Sequence, residues 1–279
     1  ATDKKFKPAE PYKDIDILNA YENALDAPQL SAPTDQSVNI STLTEFDWDD
    51  VQNATHYTLQ VSTDQTFSIY DRELTNLNSS SATLSSRLQP ETAYYWRVKA
   101  FDQQTESDWS NVFSYTTNSK HTISLTAGWN LISSNLIPEN NNIEQVFSSI
   151  ENDIEIVKNN DGLFIPDQNL NTLLNWNYKK AYLVYANTSV NLTIYGEEAD
   201  AGQTVISLSE GWNYVAYLHN SSKPISTMLN PIFSNLLIAR EGNNKAYVPL
   251  FGINLINNMD VGKGYLIYVD SSLNFTYPN

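Results

Sequence analysis

The residues best equipped for chemistry are few and scattered. The sequence holds 3 His and no Cys. Thiolate nucleophiles, disulfides and Cys-type zinc sites are therefore excluded. His56, His121 and His219 stand far apart, and none belongs to an HExxH-type pair that would grip a metal. Each reads as a structural or surface side chain. No G-x-S-x-G, phosphate loop or dinucleotide fingerprint occurs, and 9 Gly are too few for several phosphate-cradling loops. Carboxylates cluster at Asp47, Asp49 and Asp50, and at Asp14 and Asp16. Glycoside hydrolysis requires two acids opposed across a cleft. Asp49 and Asp50 are adjacent, so on an extended chain they leave on opposite faces and read as turn residues. Asp47, Asp49 and Asp50, or Asn160, Asp161, Asp167 and Asn169, are also oxygen donors of the kind calcium takes. Calcium thus stays open as a cofactor, and no other is implied. The closing Glu of an EF-hand loop is missing, and Asn159-Asn160-Asp161-Gly162 has the composition of a turn.

Aromatic residues offer the other chemistry. A sugar ring presents CH faces and hydroxyls together, so exposed rings among amides suit it. Trp129, Trp176, Trp212, Tyr178, Tyr217 and Tyr247 are the candidates. Trp129 and Trp212 sit at equivalent places of an internal repeat, described below, which points to core or turn packing. Trp176 has Met259 as its counterpart. An aromatic kept in one copy only suits a surface role, though an exchange of core residues would produce the same pattern as easily; Trp176 with its neighbour Tyr178 is the expected glycan contact.

The totals narrow the partners. A chain of 279 residues accommodates two or three domains. Its net charge is −16, which repels nucleic acid and anionic membrane surfaces. Charged residues make up 17%, against roughly 25% in an average globular protein. Asn, Ser and Thr supply the polar surface instead. Aromatic residues reach 12%, and such side chains suit half-buried pleated sheets. No apolar run approaches the roughly 20 residues of a membrane span, so no membrane insertion is expected. The chain begins at Ala1 rather than Met, as an exported and processed protein would. The expected location is secreted or at the cell surface.

Those side chains must be held by β-structure in several segments. Residues 1–27 form a polar N-terminal strap in which Ile15 and Ile17 alternate with Asp14 and Asp16. That alternation suits an added edge strand, so Ile15, Ile17 and Leu18 are the expected subunit contacts, or else a strap on the chain's own body. Residues 28–118 alternate with period two: Tyr57, Leu59 and Val61, then Tyr94, Trp96, Val98 and Ala100. One apolar face per strand is the pattern of a sandwich core. The stretches FDWDDVQNATHYTLQVSTDQTF, LQPETAYYWRVKAFD and SDWSNVFSYTT resemble a fibronectin type III domain of the bacterial kind. Leu88, Pro90, Thr92 and Tyr94 match the approach to its tyrosine corner, and Trp109, Ser110 and Phe113 match its closing strand. The resemblance implies a spacer or platform of an exported protein.

The remainder is duplicated. Ile123-Ser124-Leu125 recurs as Ile206-Ser207-Leu208 (206 − 123 = 83), and Gly128-Trp129-Asn130 recurs as Gly211-Trp212-Asn213. Lys180 and Tyr182–Tyr185 recur at Lys263 and Tyr265–Tyr268 with the same offset. The copies span 120–199 and 203–279. Ile143, Val146, Phe147 and Ile150 have helical spacing, with Met228, Leu229, Ile232 and Phe233 in their place in the second copy. This Gly-Trp-Asn repeat resembles β-rich units of exported and surface proteins of Bacteroidetes and archaea, and it carries no activity with it. The expected fold is mainly β, a fibronectin III-like sandwich followed by a duplicated small α+β unit. The expected function is a non-catalytic extracellular structural or adhesive protein: a surface stalk or self-assembling filament subunit, with the N-terminal segment in subunit contact. The alternative is a carbohydrate-binding accessory module of a secreted protein. Partners are then other copies of the chain, surface proteins or a glycan.

Overall fold

The computed structural model describes residues 25–242 and 245–279. Ile15, Ile17 and Leu18 lie outside the described residues. The chain divides into two compact units. One runs to Leu88 and takes in Thr92–Thr116; the other holds Gln89–Glu91 and Thr117–Asn279. The fold is mainly β. Among the described residues no helix is long and apolar enough to cross a membrane.

The first unit is a two-sheet sandwich. Strands Leu30–Ala32, Glu45–Trp48 and Ser81–Thr83 form one sheet. The second has five strands in the order Ser37–Ile40, Phe113–Thr117, Ala93–Phe101, His56–Ser62, Arg72–Leu77. The pleat sends alternate side chains of Ala93–Phe101 inward, so Tyr94, Trp96, Val98 and Ala100 are all buried. Trp96 packs on Phe46 of the opposite sheet with ring centroids 5.0 Å apart. Trp48 meets Tyr57 edge to face at 5.4 Å. Beyond the sheet ladder, Ser107 and Ser110 close the edge of the long strand. Their hydroxyls accept the backbone N–H of Ala100 (2.9 Å) and Val98 (3.0 Å), while their own N–H groups donate to the same residues' carbonyls. An irregular segment thereby satisfies groups that an open edge would leave unpaired.

The second unit contains the repeat, and both copies build the same sheet. In the first copy the order is Gly128–Ile132, Tyr182–Ala186, Ile154–Asn159, Gly162–Ile165, Leu170–Asn171. In the second it is Gly211–Ala216, Gly264–Val269, Leu236–Glu241, Lys245–Val248, Ile253–Asn254. Each sheet carries one bulge, at Ile154/Ile156 and at Leu236/Ile238. A smaller sheet covers each core: Leu136–Pro138, Val190–Glu198 and Ser119–Leu125 in the first copy, Ile206–Leu208 with Leu273–Phe275 in the second. The helix Ile143–Phe147 is capped by the Asn142 side chain, which accepts from the N–H of Glu144 at 2.9 Å, and it buries Ile143, Val146 and Phe147. Its counterpart Ile225–Met228 is a single turn. Pro231 lacks an N–H and occupies the 3₁₀ turn Asn230–Ile232 that follows, so the expected helical face breaks. Ile232 stays buried, but Phe233 turns out to solvent, contrary to the period-based expectation.

The two copies meet through reciprocal contacts. The N–H of Ser133 donates to the carbonyl of Gly262 at 3.1 Å, and the N–H of Ala216 donates to that of Lys179 at 3.2 Å. Ala216 and Lys179 are the repeat equivalents of Ser133 and Gly262, so one bond is made once in each direction, as a pseudo-twofold relation generates. Gly264 sits in this junction. A Cβ there would lie 2.5 Å from the Cβ of Ala181 and 2.7 Å from the carbonyl oxygen of Ile132. Only the absent side chain allows the approach. Gly264→Ala is expected to destabilise the second unit by roughly 1–3 kcal/mol through overpacking. Urea unfolding followed by Trp fluorescence measures this, and an unchanged midpoint would show that the junction yields without strain.

Candidate functional site

The strand Gly128–Ile132 begins at a tight turn, and its three first residues divide the labour. Gly128 has φ +95° and Gly211 has φ +97°, in the left-handed region that side chains disfavour. A Cβ at either glycine would meet nothing within 4 Å, so backbone conformation and not space fixes the choice. Asn130 then clamps the turn. Its Oδ1 accepts the N–H of Thr126 at 2.9 Å, and its Nδ2 donates to the carbonyls of Thr126 (2.7 Å) and Gly128 (2.9 Å). Asn213 repeats the set with Ser209 (2.9 and 2.8 Å) and Gly211 (3.0 Å).

Between glycine and amide stands the tryptophan, and it points outward. Trp129 is 47% exposed and Trp212 is 41% exposed. Each pairs in register with a tyrosine of the next strand, Trp129 with Tyr185 and Trp212 with Tyr268. Both pairs are edge to face with centroids 5.2 Å apart. The ammonium of Lys158 lies 4.8 Å from the Trp129 ring centre. Such a cation over an indole face is favourable and helps hold the ring in one pose. The repeat position that suggested core or turn packing is therefore a displayed aromatic platform, made twice.

Trp176 shows the opposite error. It is only 3% exposed, stacked on Tyr182 at 4.3 Å and tilted against Phe147 at 6.1 Å. Both faces are covered, so it offers nothing to a sugar. Its counterpart Met259 is fully buried too, and the difference between copies is an exchange of core residues. Tyr178 is half-buried and packs against the cores of both copies, with Lys179 at 5.7 Å from its ring. It joins the copies. The expected glycan contact Trp176 is thus corrected to a packing residue, while Tyr178 beside it remains half-buried. Tyr217 and Tyr247 are buried as well. The signal that could have found Trp129 and Trp212 was their place directly after a turn glycine, where the pleat sends the next side chain away from the core.

Two cavities lie at the junction of the copies. One of about 360 Å³ is walled by His121, Trp129, Glu241 and Lys263, among others. The other, about 330 Å³, is walled by Asn160, Asp161, Lys180 and Tyr214. The lining segments of the first, within 121–132 and at 241–242 and 261–263, correspond through the repeat to those lining the second, so the cavities are equivalent places with different side chains. Lys180 donates to both oxygens of Asp161 at 2.5 and 2.6 Å, which neutralises the one carboxylate among the walls of the second cavity. In the first, His121 Nδ1 lies 3.2 Å from Ser134 Oγ, and burial lowers its pKa so that the ring stays neutral. Elsewhere, Asp47, Asp49 and Asp50 are exposed on the sandwich. Among the described residues no three His, Asp or Glu side chains gather as a metal would require. His56 stacks on Phe101 at 5.0 Å, and His219 packs against Tyr217 and Tyr277.

On the outer face of the sandwich, Arg97 is held between Phe67 (4.1 Å) and Trp109 (4.2 Å), with Lys99 beyond at 5.1 Å from Trp109. The Arg97 guanidinium also donates twice to Gln60 Oε1, at 3.0 and 2.8 Å. This ladder is fully engaged and stiffens the sheet.

The sheets of the first unit define an immunoglobulin/fibronectin III-type sandwich. Residues 45–119 match the family model described as the Rha78A-like, N-terminal immunoglobulin domain. No curated protein matches the chain. Among solved structures, a Fn3-like protein from Clostridium thermocellum is 24% identical, covering 34% of this chain and 97% of that one, with a TM-score of 0.26. The α-L-rhamnosidase of Streptomyces avermitilis, complexed with L-rhamnose, is 11% identical over 89% of this chain but 22% of its own, with a TM-score of 0.29. Chicken interferon gamma receptor alpha chain is 14% identical over 69% of this chain and 90% of its own, with a TM-score of 0.27. Alignments this loose assign no activity.

Two half-buried imidazoles set a pH dependence. The pKa of His121 is lowered by burial, and that of His219 by burial and then by Lys223. The unfolded chain therefore binds more protons as pH falls through the ordinary histidine range near 6.5, and stability is lost from there down to the lowered folded values. Urea midpoints are expected to fall between pH 7.5 and pH 5. His121→Gln with His219→Gln should flatten that slope; an unchanged slope would assign it to other groups.

Proposed function

We propose that the chain is a non-catalytic structural and adhesive module of a secreted or cell-surface protein, which holds its partners through the two Trp–Tyr platforms. One observation carries this reading: the same rigid, half-exposed aromatic pair is built twice, at equivalent positions, where a core would have hidden it. Trp and Tyr supply large contact area at little conformational cost, and two platforms on one body bind a repeating surface with avidity. The family model matched by residues 45–119 describes an N-terminal domain, which suits a module set beside other domains. A net charge of −16 favours neutral or cationic partners over polyanions. The carbohydrate-binding accessory reading gains from Trp129, which lines a cavity together with Thr122 and Ser124. In the filament reading, residues 1–27 reach a neighbouring copy.

Retention on insoluble polysaccharides and on whole-cell surfaces tests the platforms. Trp129→Ala with Trp212→Ala is expected to lower retention at least tenfold, with each single change intermediate and thermal midpoints nearly unchanged. A double variant retained like the parent would sink the platform reading. Light scattering of a chain lacking residues 1–27 tests assembly: the filament reading expects monomers from the shortened chain and polymers from the parent.

A further inference from the structure

We infer that the cavity bounded by Trp129 and Glu241 is a binding site for one or two rings of a neutral sugar. The inference builds on the adhesive reading and names the ligand class of one of its two platforms. The volume, about 360 Å³, suits a ligand of that size. Its walls combine what a sugar needs. Trp129 offers a half-exposed indole face for the CH side of a ring. Glu241 offers a carboxylate whose side chain is only 13% exposed and whose ion pair to Lys245 is long, 3.7 Å. A largely covered carboxylate with so loose a partner is a strong acceptor for paired hydroxyls. Lys263 is exposed and adds a donor at the rim. His121, tied through Nδ1 to Ser134, also lines the cavity, with Nε2 beside Gly262, where a Cβ would lie 3.3 Å away.

The second cavity is an internal control. It descends from the same duplication and has nearly the same volume, yet neither tryptophan lines it, and its one acid is closed off by Lys180. Thr204 stands at the repeat position of His121, and Asn159 pairs across its turn where Glu241 does in the other copy. Only one of the two equivalent places has gathered an aromatic face, a carboxylate and an imidazole. The ligand is neutral because Glu241 and the net charge of −16 oppose an acidic sugar. An apolar ligand would leave the Glu241 carboxylate with only its long ion pair to Lys245 and give the second imidazole nitrogen nothing to bond.

The test titrates the full chain with soluble neutral monosaccharides and disaccharides (hexoses, 6-deoxyhexoses and pentoses), read by Trp fluorescence and by ligand-observed NMR. Saturable binding of at least one sugar is expected. Glu241→Gln and Lys263→Met should each weaken it at least fivefold, and Trp129→Ala should abolish it, while Asp161→Asn in the other cavity leaves it unchanged. Thermal melts confirm that each variant is folded, and the exposed Lys263→Met variant keeps the test open if Glu241→Gln does not fold. No binding of any sugar overturns the site, as does binding that only Asp161→Asn disturbs. Soluble sugars ignored while insoluble polymer is still retained through Trp212 overturns the cavity alone. Loss of both soluble binding and polymer retention in the parent chain overturns the adhesive reading with it.

Discussion

One amide side chain in each copy holds the turn on which the rest of the repeat depends. Asn130 and Asn213 each bind the turn at both its ends, accepting one N–H and donating to two carbonyls. A turn held at three points cannot slip by a residue, and a one-residue slip would send every side chain of the following strand to the other face. The register Trp129↔Tyr185 and Trp212↔Tyr268 follows from that anchor. So does the burial of Ile132 in the core behind the platform, while Leu131, on the platform's own face, lies against Gly242 of the second copy. The displayed ring and the hidden core are two results of one hydrogen-bonded turn.

Duplication supplies the second constraint. Each copy alone would leave the end of its first strand without backbone partners; the reciprocal bonds from Ser133 and Ala216 satisfy them across the junction. Gly264 and Ala181 let the backbones approach there, and Tyr178 fills the space between the cores. The two cavities lie to either side of this closely packed junction. Buried tyrosines brace the same region: the Tyr182 hydroxyl accepts the N–H of Asn177 and the Tyr265 hydroxyl that of Asp260, again as repeat equivalents. Burial pushes the Tyr182 phenol up to about 12, so it remains an uncharged hydrogen-bonding post across the physiological range. With the frame fixed by shared residues, the copies are free to differ where side chains face the cavities and solvent. Leu250 and Phe251, highly exposed, stand where the first copy has Asp167 and Gln168.

The sandwich solves the same problem by other means. Its core is an aromatic cluster in which Phe46 touches both Trp96 and Tyr115. Its outer face is stiffened by Arg97 between Phe67 and Trp109. In both units aromatic residues are divided between interior packing and organised outer faces, which gives rigid bodies that present rings without relying on mobile loops.

Much of this was legible in the sequence. Period-two alternation named Tyr94, Trp96, Val98 and Ala100 as one buried face, because a strand's geometry is local. The constant offset between copies revealed the duplication, because equal sequences fold to equal sheets. Side-chain exposure was not legible in the same way. Trp176, present in one copy, and Trp129, present in both, differ in exposure because of what the neighbouring strands and the helix Ile143–Phe147 place over them. The cavity of Trp129, Glu241 and Lys263 draws on segments more than a hundred residues apart, brought together by the pseudo-twofold junction. Local periodicity fixes which residues share a face. Only the closing of one copy on the other decides which faces remain open, since burial depends on the partner surface and not on the strand itself.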